Sequence, residues 1–442
     1  MPLEKRGPCM NHLRRIFILA VLAAAFGPAW ADQSSVERRI VEAVKARSSV
    51  ALGLLEKSVN INSGTLNTEG VKEVGRLFRA ELDALGFATR WIDMPASMKR
   101  AGHLAGQRAG NRGKRLLLLG HMDTVFEPSS PVAPWQVDGP RIRGQGVSDM
   151  KGGIVVMLEA LRALESVGAI DGSTLAVMLT GDEESVGQPI SLARADLIDM
   201  ARNSDITLSF EGMGLDRNGE ESVAIARRGA GSWSLAVTGR QGHSSRIFGP
   251  GAGFGAAYEL ARIVNSFREQ LTEPGLTYGA GVMLAGTEVE FDTTQARGTA
   301  AGKNNIIPPK AIARGDLRAL SAEQRDRARS RMRDIVAQSL PGTSATITFT
   351  EAYPPMAATP DNQALQEFYS QLSVEHGYGK VIAANPESRG AGDVQFAAPH
   401  TAALDGLGAA GGGAHSPLEY LHPESIEKNA IRAAIMIYRL TR

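Results

Sequence analysis

Three short apolar runs in this chain each break off into ionisable residues. Leu116–Leu119 runs into Gly-His-Met-Asp at 120–123, Leu175–Leu179 into Thr-Gly-Asp-Glu-Glu at 180–184, and Ile206–Phe210 into Glu211-Gly212. Runs of this length with turn signals after them predict buried strands. Between the first two lies a strong helical pattern, Ile154–Val167, and helical spacing also covers about 36–86, including Val71, Val74, Leu77, Phe78, Leu82 and Leu85. Apolar strands alternating with amphipathic helices predict an α/β domain with a mixed, mostly parallel sheet. In such sheets ligands bind beyond the carboxyl ends of the strands, where these polar clusters fall.

The pattern changes near residue 222. Trp233, Leu235 and Val237 alternate with polar neighbours, as do Ile347 and Phe349, which predicts half-exposed antiparallel strands. With helical patterns at about 252–268 and 321–339, this reads as a separate α+β domain over 222–352. It splits the first domain into 32–221 and 353–442, and Tyr353-Pro-Pro is the expected hinge. The Arg-rich stretch Arg325–Arg333 is interleaved with Asp326 and followed by Asp334, the pattern of a solvated helix face.

Residues 1–31 are expected to be a signal peptide rather than fold. Arg14-Arg15 precede the apolar run Ile16–Phe26, and Ala29-Trp-Ala31 is a small-x-small cleavage site. The run is too short for a membrane anchor, which needs about 20 apolar residues. The expected location is therefore the periplasm or the exterior, with no stable membrane anchor. The full chain has 48 Lys and Arg against 47 Asp and Glu, so it lacks the basic footprint of a nucleic-acid binder. Cleavage after Ala31 would leave 44 against 46 and remove Cys9, the single cysteine. Any bound metal then relies on imidazole and carboxylate ligands.

The polar clusters supply such ligands. His121 ends a buried strand, and period 2 places Asp123 on its face, either fixing the tautomer of a ligating imidazole or serving as a structural partner. Asp149, in Gly-Val-Ser-Asp-Met-Lys-Gly-Gly at 146–153, precedes a helix and is equally readable as its N-cap. Glu183 and Glu184 are adjacent carboxylates, costly at a strand end unless a cation lies nearby. Adjacent residues in extended chain point opposite ways, so one can face a metal and the other the substrate. Glu211 ends the next strand. His415 follows the glycine run 406–413, which lacks the Gly-Lys-Ser/Thr of a phosphate loop and is expected to be a pliable carrier of a ligand. Two His and several carboxylates without sulfur suit a pair of Zn²⁺ ions, with Co²⁺ or Mn²⁺ as substitutes.

Taken together, His121-Met-Asp-Thr-Val, the segment 146–153, Gly-Asp-Glu-Glu at 181–184, Phe210-Glu-Gly and the glycine-rich loop to His415 resemble the M20 family of di-zinc metallopeptidases, most of all its glutamate carboxypeptidase (carboxypeptidase G2-like) branch. The resemblance spans about residues 36–440. It implies that His121 and Glu211 hold one zinc, Glu184 and His415 the other, and Asp149 bridges both. It further implies that Glu183 is the general base, that Asp123 orients His121, and that the Asp149–Met150 peptide is cis.

The same resemblance makes the inserted domain a lid and dimerisation domain. His243, in Gly-Arg-Gln-Gly-His, would reach the partner subunit's site in a homodimer. Asn305, in Asn-Ile-Ile-Pro, and Arg318, in Gly-Asp-Leu-Arg, would anchor a substrate carboxylate, although Arg318 also reads as a strand Arg paired with Asp316. Ser244-Ser245 and Lys303-Asn304-Asn305 depart from the family's usual apolar residues and bear on pocket shape. The implied activity is hydrolysis of an amide beside a C-terminal amino acid in a small peptide or N-acyl amino acid. An N-acyl-amino-acid deacylase or dipeptidase of the same family is the alternative. A catalytically silent binding relative would be expected to lose ligands that are all present here.

Overall fold

The computed structural model describes residues 29–442, apart from 132–133, 217 and 294–295. The expected signal segment lies mostly outside the described residues. Three helices open the fold, α1 (Ala29–Lys45), α2 (Ser48–Val59) and α3 (Thr68–Ala84). The Asn67 side chain caps α3 by accepting from Gly70 N–H, satisfying one of the free donors of its first turn.

The first sheet uses β1 (Ala88–Ile92), β2 (His103–Arg108), β3 (Arg112–His121), β4 (Ser173–Thr180) and β5 (Ile206–Ser209), with α4 (Lys151–Ser166) between β3 and β4. Leu116 and Leu118 pack into the core beneath the helices, whereas Leu117 and Leu119 pack into a second cluster on the opposite face. Both faces are covered, which is why the run is apolar without alternation.

The chain leaves this body after Arg227 and builds an antiparallel sheet in the order β7 (Ala280–Gly286), β8 (Lys310–Ala319), β6 (Gly229–Gly239), β9 (Thr343–Tyr353). Helices α5 (Gly255–Gln270) and α6 (Ala322–Ala337) cover one face. This unit has its own core, in which Trp233, Leu235 and Val237 meet Ile263, Phe267 and Met332. The Arg-rich stretch lies on α6, where Arg329 and Arg333 stack over Phe349. The chain then returns through α7 (Pro360–Glu375), β10 (Ala402–Asp405) and α8 (Glu424–Leu440). The completed first sheet has the order β1-β2-β4-β3-β5-β10, in which β4, β3, β5 and β10 are parallel, β2 is antiparallel to β4, and β1 is antiparallel to β2. Among the described residues no helix is long and apolar enough to cross a membrane.

Lys151, at the start of α4, is fully buried and donates from Nζ to the main-chain oxygens of Ser58 (3.0 Å) and Ile61 (2.9 Å). Burial pushes its pKa down to about 7 from 10.5. The unfolded chain therefore binds this proton more tightly, and the stability contribution of Lys151 should rise between about pH 7 and pH 10.5. Lys151→Met should flatten that part of the pH profile, as measured by urea unfolding at pH 7 and pH 9. An unchanged slope would contradict it.

Candidate metal centre

His121, Asp149, Glu183, Glu184, Glu211 and His415 converge beyond the carboxyl ends of β3, β4 and β5. The Asp149 carboxylate lies between the two imidazoles, with Oδ1 3.3 Å from His121 Nε2 and Oδ2 3.3 Å from His415 Nε2. Glu211 Oε1 is 3.4 Å from His121 Nε2, and Glu184 Oε2 is 3.1 Å from His415 Nε2. His121, Asp149 and Glu211 each offer a donor atom within 4.8 Å of the others, and Asp149, Glu184 and His415 do the same. Asp149 belongs to both triplets.

The backbone explains how residues so far apart in sequence meet. β3 stops at His121, whose Nδ1 lies 3.0 Å from the main-chain oxygen of Asp123 and 3.4 Å from its carboxylate. A carbonyl can only accept, so Nδ1 carries the proton and Nε2 turns to Asp149 and Glu211. The Asp123 carboxylate instead receives the hydroxyl of Thr65 (2.7 Å) and the amides of Glu183 (3.0 Å) and Glu184 (3.1 Å). It thus fixes the turn that carries both glutamates. That turn replaces the extended geometry expected for Glu183 and Glu184, because the chain bends at once after β4.

Asp149 sits ahead of α4 with its peptide to Met150 cis, as the resemblance implies, and does not cap the helix. The Glu419 carboxylate cradles its loop, accepting from the amides of Gly146 (2.9 Å), Ser148 (2.8 Å) and Asp149 (3.0 Å) and from the Ser148 hydroxyl (3.1 Å). The glycine run before His415 is packed rather than pliable. A Cβ on Gly408 would lie 2.2 Å from Phe210 O, and Gly411 and Gly412 pair with Leu421 and Tyr420. Gly153 meets the same carbonyl from the α4 side, at 1.8 Å for a Cβ. The Phe210–Glu211 segment is therefore clamped between two glycine-lined elements. His415 itself adopts a left-handed backbone with φ 61°, a conformation that costs about 1–3 kcal/mol away from glycine and clusters at functional sites.

The electrostatics call for cations. Burial disfavours a charged His121, yet Glu211, Asp123 and Asp149 outweigh it and hold the imidazole pKa well above its ordinary value. Hydrogen bonds to Asp149 and Glu184 raise His415 to about 10. Burial raises Glu184 to about 7 and, together with Glu211, Asp393 and Glu184, lifts Glu183 well above the carboxylate range. Protonated imidazoles thus neutralise a crowded set of acids. Glu184 Oε1 is buried without a hydrogen-bond partner, an orphan acceptor that a metal ion would satisfy. The donor set, two imidazoles and carboxylates with one carboxylate shared, fits a pair of divalent ions.

A cleft of about 650 Å³ opens on this cluster, lined among others by Met213, Leu215, Ser222, Tyr353 and Arg389. Two cations border it. Arg227 is spoken for by Asp405 (2.7 Å), whereas Arg389 donates to the Gly212 oxygen (2.8 Å). Sequence reasoning overlooks Arg389 and Glu419 and reads Tyr353 only as a hinge; the one local signal is Ser388-Arg-Gly-Ala-Gly-Asp393. His243, Asn305 and Arg318 do not line the cleft of their own chain. His243 is exposed, with Nδ1 2.8 Å from Ser245 Oγ, and pairs with Ile306. The main-chain oxygen of Asn305 accepts from Ser244 N–H (2.9 Å), which brings these two motifs together. Arg318 pairs with Asp316 at 3.2 Å, the alternative noted from the sequence.

The sequence model of peptidase family M20/M25/M40 matches residues 117–438. Carboxypeptidase G2 of Pseudomonas sp. (strain RS-16) is 29% identical over 433 residues, covering 97% of this chain and 98% of that protein. Succinyl-diaminopimelate desuccinylase of Methylobacterium radiotolerans is 30% identical over 220 residues, 48% of this chain and 52% of the relative. The YXEP protein of Bacillus subtilis, a dinuclear metal-binding peptidase of the M20 family, superposes with a TM-score of 0.60 at 14% identity, over 90% of this chain and 99% of that structure.

Proposed function

The chain belongs to peptidase family M20/M25/M40 and is a metal-dependent hydrolase of that family, and from this premise we propose that it is a di-zinc amidohydrolase of the carboxypeptidase type. The proposed substrate is a small peptide or N-acyl amino acid, cut at the amide beside a C-terminal residue with a free carboxylate. The observation that carries the proposal is the Asp149 carboxylate, each oxygen of which faces a different imidazole. His121, Asp149 and Glu211 would hold one ion, and Asp149, Glu184 and His415 the other, with Co²⁺ or Mn²⁺ as substitutes. Bound there, the metal pair supplies polarisation of the scissile carbonyl and acidification of water.

Glu183 is the residue that moves protons. It takes one from the attacking water and returns it to the leaving nitrogen. Burial raises its pKa, which suits a group that must hold a proton between the two transfers. Asp123 keeps it in place through its amide. Arg389 is the cleft cation free to meet the substrate carboxylate, since Arg227 is neutralised by Asp405. His243, Asn305 and Arg318 would complete the pocket as a homodimer forms and the lid closes, with His243 acting in the partner subunit. Export through the 1–31 leader is part of the same reading.

A glutamate-releasing activity is supported by the likeness to carboxypeptidase G2 along nearly the whole chain. An N-acyl-amino-acid deacylase is the second reading, supported by the likeness to the desuccinylase over half of it. The purified protein should release amino acids from N-acyl-glutamates, N-acyl-glycine, N-acyl-alanine or N-acyl-aromatic acids, with the preferred residue separating the two readings. Chelator should abolish the activity and zinc restore it. Substrates with the terminal carboxylate amidated should be poor, and Arg389→Met should raise KM about 10- to 100-fold, the worth of a hydrogen bond to a charged group. Amidated substrates cleaved as well as the acids would sink this assignment.

A further inference from the structure

Tyr353 is the last residue of β9, opposite Ala230 of β6, where the register slips between Ala230 and Gly231. Its hydroxyl donates to the main-chain oxygen of Glu183 at 2.8 Å, and its ring packs on Phe396 with centroids 5.2 Å apart. The other anchors of the Glu183 turn come from the first body. Asp123 takes the Glu183 and Glu184 amides. Asp182 is held by Arg194 (2.5 Å) and by the Gly187 amide (2.9 Å), and Arg194 continues to Asp393 at 2.7 Å. Among the described residues, Tyr353 is the partner of this turn that belongs to the inserted sheet.

The two crossings between the bodies are pinned just short of Tyr353. Arg227 and Met356 exchange N–H···O bonds of 3.0 Å in both directions. The buried Gln395 amide donates to the main-chain oxygens of Arg228 (3.1 Å) and Pro354 (2.5 Å). The first residues of the inserted domain beyond these pins are Gly229–Gly231 on one strand and Tyr353 on the other. Gly229 and Gly231 let that crossing pack closely, since a Cβ there would lie 2.8 Å from Pro355 and 2.9 Å from Thr350 O respectively. Tyr353 therefore stands at the junction of the inserted sheet and the first body, with its hydroxyl on the Glu183 peptide.

We propose that Tyr353 is a positioning residue whose phenol ties the Glu183 peptide to the lid sheet, so that the seating of the lid sets where the Glu183 carboxylate stands. The consequence for turnover rests on the reading of Glu183 as the proton carrier; the tie itself does not. Tyr353→Phe keeps the ring on Phe396 and deletes only the donor. In the metal-replete full chain, hydrogen exchange at the 182–185 amides should quicken about tenfold while residues 146–152 are unaffected. With an N-acyl amino acid substrate, kcat should fall about tenfold, with KM within twofold and metal content unchanged. Unchanged exchange at 182–185 would overturn the tie, whatever the activity. Quickened exchange with an unchanged kcat, or a loss shared with KM and metal content, would overturn the positioning role. If the wild-type protein cleaves none of the amides, the amidohydrolase reading fails instead, and the exchange measurement still decides whether Tyr353 anchors the turn.

Discussion

Glu183→Gln is expected to fold, to load metal as the parent does, and to lose about 10²–10⁴-fold in kcat, the usual contribution of a positioned proton carrier. The substitution preserves size and keeps the main-chain bonds to Asp123 and Tyr353. Glu183 lies in the cleft, is almost fully buried, and offers a donor atom within 4.8 Å of donor atoms of His121 and Glu184. KM should change little, since the substrate carboxylate is proposed to rest on Arg389. Metal content by elemental analysis separates the two ways of being wrong. A variant that keeps both metal and activity removes Glu183 from the mechanism, and one that loses metal makes it a ligand.

Asp149→Asn is expected to be worse, through a different cause. Asp149 is shared by the triplet with His121 and Glu211 and the triplet with Glu184 and His415, and a neutral amide offers one acceptor oxygen where the carboxylate offers two. Outer partners of metal ligands typically cost 10–100-fold in affinity when removed, so a shared inner carboxylate should cost more than about 100-fold. Isothermal titration of the metal-free protein with zinc should show both binding events weakened together. Weakening of a single event would mean that Asp149 serves one ion only. His415→Ala, by contrast, touches one triplet and should leave the event at His121 in place.

The parts of this site that lie on strand ends were legible in the sequence, because a strand buried on both faces cannot hide its boundary. Leu116–Leu119 stops where the chain turns polar, and His121 is found there. Residues whose roles depend on the return path of the chain were not legible. Glu419 follows His415 by four residues, and only the loop that brings its carboxylate beneath three amides of residues 146–149 reveals what it does. Arg389 likewise becomes a cleft residue only once Asp405 has claimed Arg227. Asp123 shows the limit of a periodicity argument. Period 2 assumed that the strand continues past His121, but β3 ends there. The main-chain oxygen is the nearer partner of the imidazole at 3.0 Å, and the carboxylate, 3.4 Å away, holds the glutamate turn as well.

His415 comes after the whole inserted sheet in the sequence, and this position gives the molecule an order of assembly. A growing chain has made His121, Asp149, Glu183, Glu184 and Glu211, and then the whole inserted sheet, before the last imidazole and the Glu419 cradle exist. Until then the carboxylates face each other with a single histidine among them, and the second ion has no complete set of ligands. Occupation of the triplet that needs His415 would therefore wait for the chain to return from the inserted sheet, and metal binding there would favour closing the 411–421 segment onto the Asp149 loop. Nascent chains stalled on the ribosome before residue 415 should take up at most one ion.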